Sequence, residues 1–443
     1  MSDFLFARAQ MGMSLAFHIV FAVLGIGLPV LMAISEAVYL RTKRPIYLEL
    51  SKRWTRGAAI LFAVGAVSGT VLAFELGLLW PGFMEHAGAI IGMPFSLEGF
   101  AFFAEAIFLG LYLYGWDRLS PLLHWICGVL VAVNGTLSAI FVVTANAWMN
   151  APAGFRMVNG QASDIDPIAA MLNPASLHEA LHMTLAAFVA TGFSVAAVHA
   201  FFLLRKHSSE FHRAALGIAL AVGCISTPLQ IVSGDFSART VAKIQPAKLA
   251  AMEAHYKTST GAPLLVGGLP NDDAQSARYA LIIPRGLSLL VAHDPDARVA
   301  GLEEFPRENW PNVRLVHWSF DLMVGCGFAL LAGSIAAGWL WWWWWRLPDA
   351  RWFLRSLVVL GPLGFVAIEA GWMVTELGRQ PWIIYGVMKT NEAVTPMPGI
   401  ALPFFIFTGV YIFLALAVIY LLRRQFVRAP ESVDEKAALS THV

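Results

Sequence analysis

Nine long, mostly apolar runs limit what this chain can become. They cover residues 14–39, 57–80, 94–114, 122–147, 181–204, 214–232, 316–343, 353–377 and 400–422. A helix needs about 20 such residues to cross ~30 Å of hydrocarbon, and inside lipid only helices or closed barrels satisfy their backbone polar groups. The expected fold is therefore an all-α polytopic membrane protein of about nine transmembrane helices. Composition agrees: 58% of residues are hydrophobic and only 13% charged, about half the charge of a soluble domain. That excludes a soluble enzyme, a disordered chain and a nucleic-acid binder. The first run is too long for a signal-peptide core and reads as a retained span.

The charges between the runs predict an orientation. Arg41, Lys43, Arg44, Lys52, Arg53 and Arg56 lie in the first loop. Arg118, Arg205, Lys206, Arg213, Arg346, Arg351, Arg355, Arg423, Arg424 and Arg428 fall on the same side. The opposite short loops hold only Arg156, Arg379 and Lys389. The positive-inside rule then puts the N-terminus outside and the C-terminus in the cytoplasm. The division expected is helices one to six within 1–232, a polar outer segment at 233–314, helices seven to nine within 315–425 and a cytoplasmic tail at 426–443. The outer segment shows helical character at 245–256 and turn chemistry at 267–273. The tryptophan run 341–345 reads as an interfacial belt.

Polar groups within spans are costly and read by default as functional. His18, His182, Met323 and Glu376 all fall toward the outer ends of their spans and suit axial haem ligands, His with Met being a known pairing. Taken alone, each histidine also reads as a hydrogen-bonded core residue, and Met323 alone reads first as a packing methionine. Glu98 and Glu105 are seven residues apart, so they share one helix face. They suggest a proton relay or a pair of structural acids. Glu369 repeats that spacing before Glu376, and Glu75 ends span two. His124, His199, His207 and His212 fall at inner helix ends and read as surface or interfacial. Cys127, Cys224 and Cys326 lie in apolar runs with no CxxC spacing, which argues against c-type haem and thiolate zinc. No histidine cluster suited to copper is apparent.

Several blocks then match one family in order: Arg8-Ala9-Gln10 through Phe17-His18, Leu97-Glu98-Gly99, Phe102-Phe103-Ala104-Glu105, Gly115-Trp116-Asp117-Arg118 and Ala145-Asn146-Ala147-Trp148-Met149. Lys248-Leu249-Ala250-Ala251-Met252-Glu253 and Gly378-Arg379-Gln380-Pro381-Trp382 complete the set, with Trp372 one turn before Glu376. Over essentially its whole length the chain resembles subunit I of cytochrome bd-type quinol oxidases, in the short-loop, cyanide-insensitive-like branch.

The resemblance implies a haem-bearing respiratory terminal oxidase of the bacterial cytoplasmic (inner) membrane. Such a protein oxidises quinol at the outer face and reduces dioxygen to water with cytoplasmic protons. It implies that His182 and Met323 ligate a low-spin haem b. His18 and Glu376 would each hold one of two high-spin haems, a haem b and a haem d (or a further haem b in its place). Lys248 and Glu253 would bind and deprotonate quinol. Glu98 and Glu105, with Ser138, would deliver protons, and Arg379 and Trp372 would support the haem propionates and the electron path. The partners implied are a second membrane subunit and a small single-span one. Asp321 departs from the pattern, standing where the well-known branch has Arg. Two other readings stay open on sequence alone: a haem b electron-transfer protein with another acceptor, and a proton-coupled transporter.

Overall fold

The computed structural model describes residues 2–205, 209–344 and 350–427. Lys206, His207, Trp345, Arg346, Arg428 and the tail beyond lie outside the described residues. The helices are α1 (Asp3–Thr42), α2 (Pro45–Leu79), α3 (Pro81–Tyr114), α4 (Pro121–Asn150), α5 (Pro167–Met171), α6 (Ser176–Arg205) and α7 (Glu210–Ile244). After them come α8 (Pro246–Met252), α9 (Gly286–Ala292), α10 (Val313–Trp344), α11 (Arg351–Leu360), α12 (Leu363–Arg379), α13 (Thr390–Ala393) and α14 (Ala401–Val427). Among the described residues nine helical segments are long and apolar enough to cross a membrane, α11 and α12 counting as one. The chain is a multi-pass membrane protein.

Helix ends differ from the hydropathy boundaries where polar residues continue the helical spacing. α1 begins at Asp3, so His18 sits well inside the helix rather than near its end. α7 runs on to Ile244, and Asp235 and Arg239 pair one turn apart at 2.6 Å on that extension. Pro45, Pro81 and Pro121 open their helices, where a missing N–H costs nothing. Span eight breaks at Gly361 and Pro362, between α11 and α12. Proline removes a helical donor and its ring crowds the preceding turn.

α6 is the hub, packing against α1, α4, α7, α11 and α12. Without a hydrophobic force between helices in lipid, close van der Waals contact between small residues holds them. A Cβ on Gly192 of α6 would lie 2.6 Å from the Gly223 nitrogen of α7. One on Gly27 of α1 would meet the Thr191 side chain at 2.2 Å, and one on Gly364 of α12 would meet Ala190 Cα at 2.5 Å. Neighbouring helices can come that close only because these residues carry no side chain.

His124, His199 and His212, expected to be surface or interfacial, are buried. His124 pairs with Glu36 of α1 and with the Tyr112 carbonyl of α3, at 2.7 and 2.9 Å. The Nδ1 atoms of His199 and His212 are 2.9 Å apart. Their partners are distant in sequence or on a facing helix, so a helix-end position could not reveal the burial.

The segment after α7 packs α8, α9 and short strands against the ends of α7, α10 and α12. Strand Leu264–Val266 pairs antiparallel with Leu281–Ile283, and Leu269–Asn271 with Ser276–Arg278. Among the described residues Arg41, Lys43, Arg44, Arg118, Arg205 and Arg351 lie at the helix ends opposite that segment.

Gly192→Ala should lower the thermal unfolding midpoint of the detergent-solubilised protein, because overpacking at a backbone contact costs about 1–3 kcal/mol. Gly217→Ala on α7, with open space around it, should leave the midpoint within error. Equal midpoints for the two variants would contradict the packing described.

Candidate functional site

The site lies at the loop end of the bundle. Its two histidines are held alike. His18 Nδ1 is 2.9 Å from the Ser68 hydroxyl of α2. That hydroxyl donates to the Val64 carbonyl at 2.9 Å, so it accepts from Nδ1–H and leaves the Nε2 lone pair available. His182 Nδ1 meets Ser233 of α7 at 2.9 Å, and Ser233 donates to the Gln230 carbonyl at 2.9 Å. The Gln230 amide lies 3.0 Å from His182 Nε2, the distance of an N–H donating to that lone pair. A second partner that fixes the tautomer is how ligating imidazoles are prepared for a metal. Sequence reading missed Ser68 and Ser233, since serines in a span carry no signal until a histidine is seen opposite them.

Glycines keep space beside these side chains. A Cβ on Gly69 would come 3.0 Å from His18 Cε1, one on Gly371 would come 3.0 Å from Met323 Sδ, and one on Gly234 would come 3.5 Å from His182 Cε1. His182, Met323 and Gly371 lie on α6, α10 and α12; α12 packs against both of the other two.

A polar network joins the expected substrate side to Glu376. Lys248 Nζ donates to Asn150 Oδ1 and to the Thr375 carbonyl, both at 3.2 Å. Asn150 Nδ2 donates to Glu179 Oε1 at 2.9 Å and to Asn146 Oδ1 at 3.2 Å. Asn146 Nδ2 donates to Glu376 Oε1 at 2.6 Å, and Arg379 Nη2 to Glu376 Oε2 at 2.5 Å. Arg379 is 2% exposed, yet its Nε and Nη1 have no protein partner. A buried guanidinium with two free donors is suited to an anionic group. The Lys248 stem crosses Gly378, where a Cβ would stand 2.9 Å from Lys248 Cγ. Trp372 packs with Ile19, Val23 and Ile368. Sequence reading did not single out Asn150 or Glu179, which join the network only because α4 and α6 end beside each other.

Lys248 and Glu253, both on or next to α8, point to different neighbours. Burial pushes the Lys248 ammonium down to about 8, against the opposing pull of the Glu179 carboxylate. Glu253 is 1% exposed and neither carboxyl oxygen has a protein partner. Burial and then the Asp321 charge push its carboxyl up to about 8. Asp321 is not a free charge beside Met323. It accepts from the Gly267 N–H at 2.7 Å and lies 3.3 Å from His317 Nε2. His317 Nδ1 lies 2.7 Å from the Met252 carbonyl and Nε2 3.0 Å from the Gly267 carbonyl. Trp318 donates to the Gly268 carbonyl at 2.9 Å. Gly267 and Gly268, with φ of 68° and 107°, make the turn that these bonds fasten to α10.

Away from the loop, the Ser138 hydroxyl donates to Glu98 at 3.4 Å. Glu105 is buried against Gly135, whose Cβ would stand 3.1 Å from its carboxyl. The Gln10 amide donates to buried Glu75 at 2.9 Å. Glu369 has one buried oxygen without a protein partner. Among the described residues no group of three or more His, Cys, Asp or Glu is placed to hold a bare metal ion.

The sequence model described as cytochrome bd terminal oxidase subunit I matches residues 6–430. The chain belongs to the cytochrome bd terminal oxidase subunit I family. Members of that family resemble it end to end. It is 39% identical to a putative cytochrome bd menaquinol oxidase subunit I of Bacillus subtilis (strain 168), over 99% of this chain and 100% of that one. It is 28% identical to the cytochrome bd-II ubiquinol oxidase subunit 1 of Escherichia coli (strain K12), over 97% of each chain. The bd oxidase structure from Geobacillus thermodenitrificans superposes with a TM-score of 0.91 at 39% identity, covering 97% of this chain and 99% of that chain.

Asn150→Leu should strand the Lys248 ammonium and the Glu179 carboxylate in a buried site. Unmade buried hydrogen bonds cost about 1–3 kcal/mol, more when charged. Thermal unfolding of the purified protein should show the loss, and an unchanged midpoint would show that Asn150 does not bridge these groups.

Proposed function

We propose that the chain is the haem-bearing, quinol-oxidising subunit of a respiratory terminal oxidase of the bacterial cytoplasmic membrane, reducing dioxygen to water. The network running from Lys248 through Asn150 and Asn146 to Glu376 and Arg379 carries this reading. It ties the residues expected at quinol to a residue expected at haem iron.

The residues fit haem. His18 presents a free Nε2 lone pair, and the Nε2 lone pair of His182 is held by the Gln230 amide that an iron would displace. Glycines lie against His18 and Met323 where a Cβ would crowd them, and Arg379 keeps two nitrogens without a protein partner for propionate. In this reading His182 and Met323 hold a low-spin haem b, and His18 and Glu376 hold two high-spin haems, a haem b and a haem d or a further haem b. Bound there, the haems supply the electron transfer and the oxygen chemistry.

The chain's own groups do the rest. Lys248 hydrogen-bonds a quinol oxygen, and Glu253, buried with both oxygens free, accepts a quinol proton. Arg379 and Asn146 fix Glu376 in place. Glu98 and Glu105 hold protons on their way to the reduction site. With the N-terminus outside and the basic end in the cytoplasm, quinol protons leave at the loop end and protons for water enter from the other. Each charge so separated is worth about 2.3 kcal/mol per 100 mV. A second membrane subunit and a small single-span one complete the assembly.

The first test is the dithionite-reduced minus oxidised spectrum of the assembled complex. Haem b bands with a red-shifted chlorin band support the reading with haem d. Haem b bands alone support it with haem b in that place. An absence of haem bands in folded, assembled protein would overturn it and leave the transporter reading.

The pH profile is a further test. Glu253 must be ionised to accept a proton, so the rate rises with pH through about 8. Lys248 must be charged to donate, so the rate falls above about 8. Quinol oxidation should therefore peak on the alkaline side of neutrality. Glu253→Gln should remove the rising limb and Lys248→Met the falling one. Variant profiles shaped like the parent's would refute these roles.

A further inference from the structure

The block Gly115-Trp116-Asp117-Arg118 has no place in the site above, and neither do the buried His124 and Glu36. They lie together at the basic end, at the foot of α3. On α3 a third residue continues the spacing of the two acids: Glu98, Glu105 and Tyr112 are each seven residues apart and share one face. α4 makes room for all three. Ser138 donates to Glu98, Gly135 faces the Glu105 carboxyl, and Gly128 lies against the Tyr112 ring, where a Cβ would stand 2.6 Å away.

Below Tyr112 stands the pair of His124 and Glu36, 2% and 3% exposed. One proton lies between His124 Nδ1 and Glu36 Oε1, 2.7 Å apart, while Nε2 donates to the Tyr112 carbonyl at 2.9 Å. The Tyr112 phenol lies beside Glu36 and Ser51. The phenol oxygen and Glu36 Oε2 are both buried and lie close together without a well-aligned hydrogen bond to any protein group. Trp116 covers the His124 ring at 4.0 Å between centroids, and the Lys52 ammonium sits 5.3 Å above Trp116. The pair is thus one aromatic layer from the basic surface.

We propose that Glu36, His124 and Tyr112 form the mouth of the proton path that Glu105 and Glu98 continue, with Trp116 as its cover. This rests on reading those two acids as a proton path. A proton from surface water passes Trp116 and adds to Glu36 Oε2, while His124 keeps the carboxylate in place, holding Oε1 through Nδ1 and the Tyr112 carbonyl through Nε2–H. Glu36 then passes it to the Tyr112 hydroxyl, which releases its own proton toward Glu105, so each group returns to its starting state. The rise from Tyr112 to Glu105 is about 10 Å along the helix, a gap for water to bridge.

The test uses the purified, assembled oxidase with Glu36→Gln, Tyr112→Phe, Glu105→Gln and the Glu36→Gln/Glu105→Gln double variant. Both mouth substitutions keep size, and Tyr112→Phe removes one oxygen only, so it reports even if Glu36→Gln does not assemble. Each single variant should slow quinol-oxidase turnover about tenfold or more. The KM for quinol and the haem spectrum should stay unchanged, and the solvent deuterium isotope effect should rise. Groups in series predict that the double variant is no slower than its slower parent. The mouth is refuted if Glu105→Gln slows turnover while Glu36→Gln and Tyr112→Phe do not, if the double effect is additive, or if activity falls only as haem is lost. If Glu105→Gln itself has no effect, the proton-path reading fails, and the mouth with it.

Discussion

Close packing around α6 is the constraint on which the other arrangements depend. In lipid no apolar surface is gained by joining helices, so contact distance decides which helices associate. Gly192 against Gly223, Gly27 against Thr191 and Gly364 against Ala190 bring three neighbours onto one helix. The loop end of that helix then carries both Glu179 and His182 into the site. α7, held by the same contact, delivers Ser233 and Gln230 to opposite nitrogens of the His182 ring. The tautomer of one imidazole thus follows from two glycines lower in the bundle.

The fold was legible because its cause is local: each run of about twenty apolar residues reports a span by itself. Ends were less legible, as α1 and α7 show, because a helix can continue through polar residues where hydropathy falls. Candidate site residues could be named as far as single residues carry a signal or a family motif covers them, as for His18, His182, Met323, Glu376, Lys248 and Glu253. What was hidden is pairing. Asn150, Glu179, Ser68 and Ser233 are ordinary polar residues until the facing helix is known. His124 was misread for the same reason: Glu36 lies 88 positions away in the chain.

Asp321 shows how a residue that departs from a family pattern acquires its partners only in the fold. By sequence it is an acid two positions before a methionine expected at iron. In the fold its carboxylate accepts from the Gly267 N–H and lies beside His317. The substitution thus changes the local circuit of hydrogen bonds as well as the sign at one position.

That circuit also bears on how a substrate gets in. Gly267 and Gly268 are tied to Asp321, His317 and Trp318, so the middle of the loop is riveted to a membrane helix. A flap fastened at its centre as well as at both ends has to break these bonds before it swings clear of the bundle. On the function proposed above, a long-tailed quinol would then enter sideways from the bilayer. Traffic through the site would then be governed by the fluidity and composition of the surrounding lipid rather than by any opening toward water.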